Sequence, residues 1–122
     1  MSRTGVQLCD DILRSASFIS GYANSTPTKQ QFAANSQLCD AVRYRLAVIG
    51  ETAVALLKRY PSEIAQASTP TYDLGTKLRL FRLARNKIIH AHWGASPALV
   101  ANTIVNELNP LVQAIQLLRP LV

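Results

Sequence analysis

The chain has 122 residues, with 13 Lys and Arg against 7 Asp and Glu for a formal charge of +6, a length suited to one domain that buries about two-thirds of its unfolded surface. At 48% apolar and 16% charged residues it is too hydrophobic for a disordered chain, and no apolar run reaches the ~20 residues of a membrane helix. Two cysteines make no disulfide scaffold, and the polar start lacks an apolar signal core, so a cytoplasmic domain is expected.

From Gln7 to Tyr22, the residues Leu8, Ile12, Ser15, Ile19 and Tyr22 recur at three- and four-residue steps, the pattern of an amphipathic helix. Asn24-Ser25-Thr26-Pro27 ends it, because Pro27 has no N–H to donate and holds Thr26 out of helical geometry. Thr28 is placed to cap a short helix through Phe32 and Ala34. A long helix follows over about Ser36 to Tyr60, with Leu38, Val42, Leu46, Ile49, Ala53, Leu56 and Leu57 on one side. Pro61 interrupts it, and Ser62-Glu63-Ile64-Ala65 adds another turn.

Ala67-Ser68-Thr69-Pro70-Thr71-Tyr72 reads as a loop. Asp73 then caps a helix running to about Trp93, with Gly75 in its first turn and Gly94 suited to its C-terminus. Ser96-Pro97 restarts the chain as N-cap and first helical residue. The last helix carries Leu99, Ile104, Leu108, Leu111, Ile115 and Leu118, and Pro110 is expected to kink it. Strand-like alternation is absent, so the fold class is all-α: an up-and-down bundle of four to five helices.

Gln-Leu-Cys-Asp occurs at 7–10 and again at 37–40, each copy opening a helix in which the Cys packs as a small apolar residue. A chemical role is better sought in the charge distribution. Lys77, Arg79, Arg82, Arg85 and Lys87 put five of the 13 cations into one stretch without an acid. Such a patch suits nucleic-acid phosphates, and a solvated surface face is the alternative. On a helix at about 100° per residue, Leu74, Leu78, Phe81, Ile88 and Ile89 gather into an apolar stripe. Arg85 falls inside that stripe, within roughly 20° of Leu78. A cation there either snorkels to solvent along its stem or is paired at a cleft. Arg79, Arg82, Asn86 and His90 form a separate polar strip, with Asn86 and His90 one turn apart. Glu51 interrupts an Ala-, Val- and Leu-rich helix, and its pairing with Arg85 or its exposure elsewhere both fit the pattern.

Arg85-Asn86-Lys87-Ile88-Ile89-His90 resembles the R-x4-H signature of the HEPN superfamily, in the branch of HepT-like toxins. Those toxins are partners of MNT-type minimal nucleotidyltransferase antitoxins. The resemblance extends to Asp11-Ile12-Leu13, to Ala41-Val42-Arg43-Tyr44-Arg45-Leu46 with Ile49-Gly50-Glu51, and to Glu107-Leu108-Asn109-Pro110-Leu111, making residues 1–122 a single HEPN domain. It implies a homodimer whose two motifs face one cleft, and metal-independent endoribonuclease activity. Arg85 would hold the scissile phosphate, His90 would carry protons and Asn86 would orient the imidazole or the phosphate, with Glu51 in support near the motif. Arg79, Arg82, Lys87, His92 and Trp93 are the candidates for RNA contact, Trp93 through a face that can stack a base. No cofactor or metal is implied; His90 and His92, two apart, point to different faces. The branch commonly extends the signature to R-x4-H-x-Y, whose Tyr accepts AMP from the antitoxin. Here His92 stands at that position, so neutralisation by tyrosine AMPylation does not carry over. The alternative function is a non-catalytic HEPN protein that binds nucleotide, RNA or a nucleotidyltransferase partner.

Overall fold

The structure, a computed structural model, describes residues 3–24, 31, 34–90 and 97–122. Among these it contains five α-helices and no strand: α1 (Gly5–Asn24), α2 (Ser36–Arg59), α3 (Pro61–Ala67), α4 (Leu74–His90) and α5 (Pro97–Leu118), followed by a 3-10 turn at Arg119–Leu121. The all-α bundle expected from the sequence is the observed fold. Of the Thr28-capped helix only residues 31 and 34 are described, both helical, and Gly94 and Ser96 lie outside the described residues.

Local chemistry sets the helix ends. α1 begins two residues before the periodic pattern does, because Thr4 and Gln7 form a reciprocal capping box: the Gln7 amide donates to Thr4 Oγ1 at 3.1 Å and the Thr4 amide to Gln7 Oε1 at 2.8 Å. Asn35 caps α2 by accepting from the Leu38 amide at 3.0 Å. Pro61 does more than interrupt, for it stands at the start of α3, where a missing N–H costs nothing. Ser68 then ties two helices together: its hydroxyl donates to the Ile64 carbonyl at 2.9 Å and accepts from the Leu74 amide at 3.0 Å. Between them Thr69 and Tyr72 exchange two backbone hydrogen bonds across Pro70-Thr71. Asp73 caps α4 as expected, accepting from the amide of Thr76 at 3.3 Å and from its hydroxyl at 3.0 Å.

α2 lies between α1 and α4, and α5 packs against α1 and α3. The core comprises Leu8, Ile12 and Ile19 of α1, Val42, Leu46, Ile49, Ala53 and Leu56 of α2, Leu74, Leu78 and Phe81 of α4, and Leu108, Leu111, Ile115 and Leu118 of α5. Cys9 and Cys39, the two members of the sequence echo, are buried in that core. Burial pushes the Cys9 thiol up to about 11, with the charge of Asp10 acting in the same direction, which suits packing rather than nucleophilic chemistry. Pro110 lies inside α5, which continues through it from Pro97 to Leu118. Among the described residues no helix is long and apolar enough to cross a membrane.

Candidate active site

Arg85 stands where α4 crosses α2. The buried stripe of Leu74, Leu78 and Phe81 faces the core, and Arg85 continues it toward the C-terminal half of α4. The crossing is possible because position 50 is glycine. A Cβ there would lie 2.3 Å from Arg85 Cβ and 2.7 Å from the Phe81 carbonyl oxygen. The stem of Arg85 therefore occupies the space that any other residue at position 50 would fill.

From that crossing the guanidinium reaches out to two groups. Its Nη2 is 3.6 Å from Glu51 Oε1, a distance for charge attraction rather than a hydrogen bond. Its Nη1 donates to Asn86 Oδ1 at 3.0 Å. Arg85 Nε is buried and has no acceptor among the described residues. The pairing of Arg85 with Glu51 is thus the arrangement found, and snorkelling alone does not describe it. The side chains are 30% exposed at Arg85 and 55% at Glu51, so water screens the pair and its net worth is small.

The rest of the strip divides. Arg79 and Arg82 are exposed on α4 and Asn86 is half-buried. Lys77, counted with the basic patch in the sequence, turns to the other side: its Nζ lies 3.3 Å from Glu107 Oε2 of α5 and over the Tyr72 ring. Lys87 and His90 belong to α4, but their side chains lie outside the described residues, as do His92 and Trp93 altogether. Helical register places His90 four residues after Asn86 on the same side of α4.

Of the apolar stripe beside Arg85, Leu74, Leu78 and Phe81 are taken up by the protomer's own core, and the side chains of Ile88 and Ile89 lie outside the described residues. Leu80 and Leu83 remain exposed, at 48% and 49%, and Leu80 lines a small groove of about 170 Å³ with Phe81, Ala84 and Glu107. Register sets Leu83 about 20° from the position of His90 around the helix.

Gly50 is the residue whose role the sequence reading missed, although Ile49-Gly50-Glu51 carried part of the resemblance. A glycine in the interior of a long helix is the signal that was available, since it costs helix stability and asks for a packing reason. Among the described residues no group of three His, Cys, Asp or Glu side chains converges as metal ligands do.

The family model described as ribonuclease HepT-like matches residues 12–118 of the chain. No curated protein and no solved structure matches it.

Proposed function

Because this chain belongs to the ribonuclease HepT-like family, we propose that it is a metal-independent endoribonuclease toxin with Arg85 and His90 as its catalytic groups, in one domain over residues 1–122. The observation that carries this reading is the Arg85 guanidinium, held at the α2–α4 crossing over Gly50 and only loosely paired with Glu51. A planar fork in that setting suits a phosphodiester, whose charge it neutralises as the transition state forms.

In the proposed reaction a ribose 2′-hydroxyl attacks the adjacent phosphorus. The 2′-O–P bond forms and the P–O5′ bond breaks. One His90 accepts the hydroxyl proton, and His90 of the partner subunit gives a proton to the departing 5′ oxygen. An imidazole of unperturbed pKa about 6.5 is able to do both near neutrality. The products are a 2′,3′-cyclic phosphate and a free 5′-hydroxyl. Two imidazoles require a homodimer, and the exposed Leu80 and Leu83, the latter two turns before His90 on nearly the same side of α4, support an interface on that face. Asn86 positions the Arg85 fork through its side-chain oxygen. Arg79, Arg82 and Lys87 would meet further phosphates, with His92 and Trp93 as additional RNA contacts.

The cognate partner in this reading is an MNT-type nucleotidyltransferase antitoxin. With His92 where the branch has its AMP-accepting Tyr, inhibition proceeds by masking the cleft. Intact mass after co-expression should therefore equal that of the unmodified chain, and an added AMP would overturn the masking mechanism.

Purified protein should cut single-stranded RNA in EDTA, and DNA, lacking the 2′-hydroxyl, should resist. His90→Ala should slow cleavage by roughly two to four powers of ten, the usual worth of a positioned acid–base group. Arg85→Ala should be comparably harmful, whereas Arg85→Lys recovers only part, because Lys keeps the charge and loses the fork. His92→Ala should do far less damage than His90→Ala. Cleavage that persists in His90→Ala, or that requires added magnesium, would remove the mechanism. A second reading, RNA or nucleotide binding without cleavage, is favoured by one feature: both terminal nitrogens of Arg85 already have partners, and its Nε is buried. RNA affinity without any cleavage product would decide for it.

A further inference from the structure

We propose that an unpaired RNA base stacks on the outer face of Tyr44, as the next rung of an aromatic–arginine ladder built by α1 and α2. The ladder is made of side chains that the Arg85 site does not use. Tyr22 and Phe18, one turn apart on α1, stack with ring centroids 6.3 Å apart and planes inclined by 29°. The Arg45 guanidinium lies 4.0 Å over the Phe18 ring and 5.3 Å over the Tyr44 ring. Arg45 therefore lies over both rings and links Phe18 of α1 to Tyr44 of α2. Phe18 is 42% exposed and Tyr44 62% exposed.

A single exposed aromatic residue needs no explanation. A row of three rings and a cation at the surface, each member held by the next, does. Arg14 and Arg43 are paired with Asp11 and Asp40, but among the described residues no carboxylate takes Arg45. Its charge is left for a ligand. On the α1 side the ladder opens into a hollow of about 690 Å³ lined by Arg14, Ser17, Phe18, Gly21 and Tyr22. At Gly21 nothing stands within 4 Å of where a Cβ would be.

A flat ring, a planar cation and neighbouring arginines together suit a nucleotide better than an acidic or apolar peptide. The ring stacks the base, since every base has a π face, and the charge of Arg45 attracts a phosphate. The location fits the RNA-cleaving reading, on which this inference rests. Tyr44 and Glu51 are seven residues apart on α2, two turns and about 20° from a common face, so Tyr44 lies about 10 Å along the helix from the partner of Arg85. A strand lying on Arg85 can continue to Tyr44.

The test is RNA binding by the His90→Ala protein in EDTA, read by anisotropy with a short fluorescein-labelled oligoadenylate, so that cleavage plays no part. In that background Tyr44→Leu should weaken binding roughly five-fold or more without altering its salt dependence, and Tyr44→Phe should restore it. Arg45→Gln should weaken binding and also reduce the slope of log affinity against log salt by about 0.7. A 2-aminopurine base in the oligomer should lose fluorescence on the parent protein and keep it on Tyr44→Leu. Duplex RNA, whose bases are already stacked, should not discriminate between the two. Unchanged affinity and unchanged quenching in Tyr44→Leu would overturn the platform, and RNA cleavage by the Arg85 and His90 protein would survive that result. Normal stacking without cleavage by the unmutated protein would have the opposite consequence. Loss of a co-purifying protein partner in Tyr44→Leu, with RNA affinity unchanged, would assign the ladder to a protein contact and likewise overturn the proposal.

Discussion

Gly50 and Arg85 share one volume, and the energetics of the site follow from that. A Cβ at position 50 would meet the root of the Arg85 side chain and a backbone carbonyl, neither of which can swing aside as a long side-chain tip can. Gly50→Ala should therefore be destabilising, by about 1–3 kcal/mol as overpacking usually is, although alanine is intrinsically the better helix former. Denaturant titration would measure it, and a stability at or above that of the parent would show that the crossing is loose. The ion pair beside it was partly legible in the sequence: an acid on an apolar helix and an arginine in an apolar stripe are each out of place, and pairing resolves both. The glycine was not, because its effect is an absence of atoms and its counterpart lies 35 residues away. Lys77 was misplaced for a similar reason, since only the tertiary fold brings Glu107 of α5 beside it.

The elements themselves were largely legible, because periodicity and helix-ending residues are local signals. α2 begins at the expected Ser36, and Asp73 caps α4 as its position before the helix implies. The start of α1 was placed two residues late because the periodic pattern outweighed the Thr4-x-x-Gln7 capping signature. The α4 cap has a pH signature. Hydrogen bonds from the Thr76 hydroxyl, then from its amide, hold the Asp73 carboxyl below its ordinary 3.8. A depressed carboxyl contributes stability that is present above the unfolded-state pKa and is lost as pH falls through the folded value. Asparagine caps comparably but does not titrate. The melting temperature of the parent relative to Asp73→Asn should therefore fall progressively as pH drops from about 5 toward 2. A constant difference over that window would mean that the carboxylate form of the cap is not the favoured one.

At the scale of the whole molecule, α2 is the element on which α1 and α4 both pack, so the ladder and the Arg85 site share one rigid support. The chain ends described by the structure are also tied together. The Arg119 guanidinium donates to both carboxylate oxygens of Asp10, at 2.7 and 3.2 Å, and a Cβ on Gly5 would lie 2.6 Å from Val122 Cβ. On the outer side of α4, Leu80 and Leu83 are exposed, and Leu83 precedes the position of the proposed proton carrier by two helical turns. Light scattering at tens of micromolar should give the mass of a dimer, and Leu80→Asp with Leu83→Asp should convert it to a monomer that no longer cuts RNA. A monomeric parent protein would defeat the two-histidine mechanism. The α2–α4 crossing has, finally, a genetic consequence. Every residue except glycine carries a Cβ, and the atoms opposite it at position 50 are a main-chain oxygen and the Cβ of Arg85 itself. No change of a neighbouring side chain can make room, because any residue but glycine at position 85 keeps its Cβ and the Phe81 carbonyl oxygen stays whatever the side chains are. A screen for restored RNA cleavage starting from Gly50→Ala should return reversion to glycine and no second-site suppressor at the crossing, making this position a dead end for compensatory mutation.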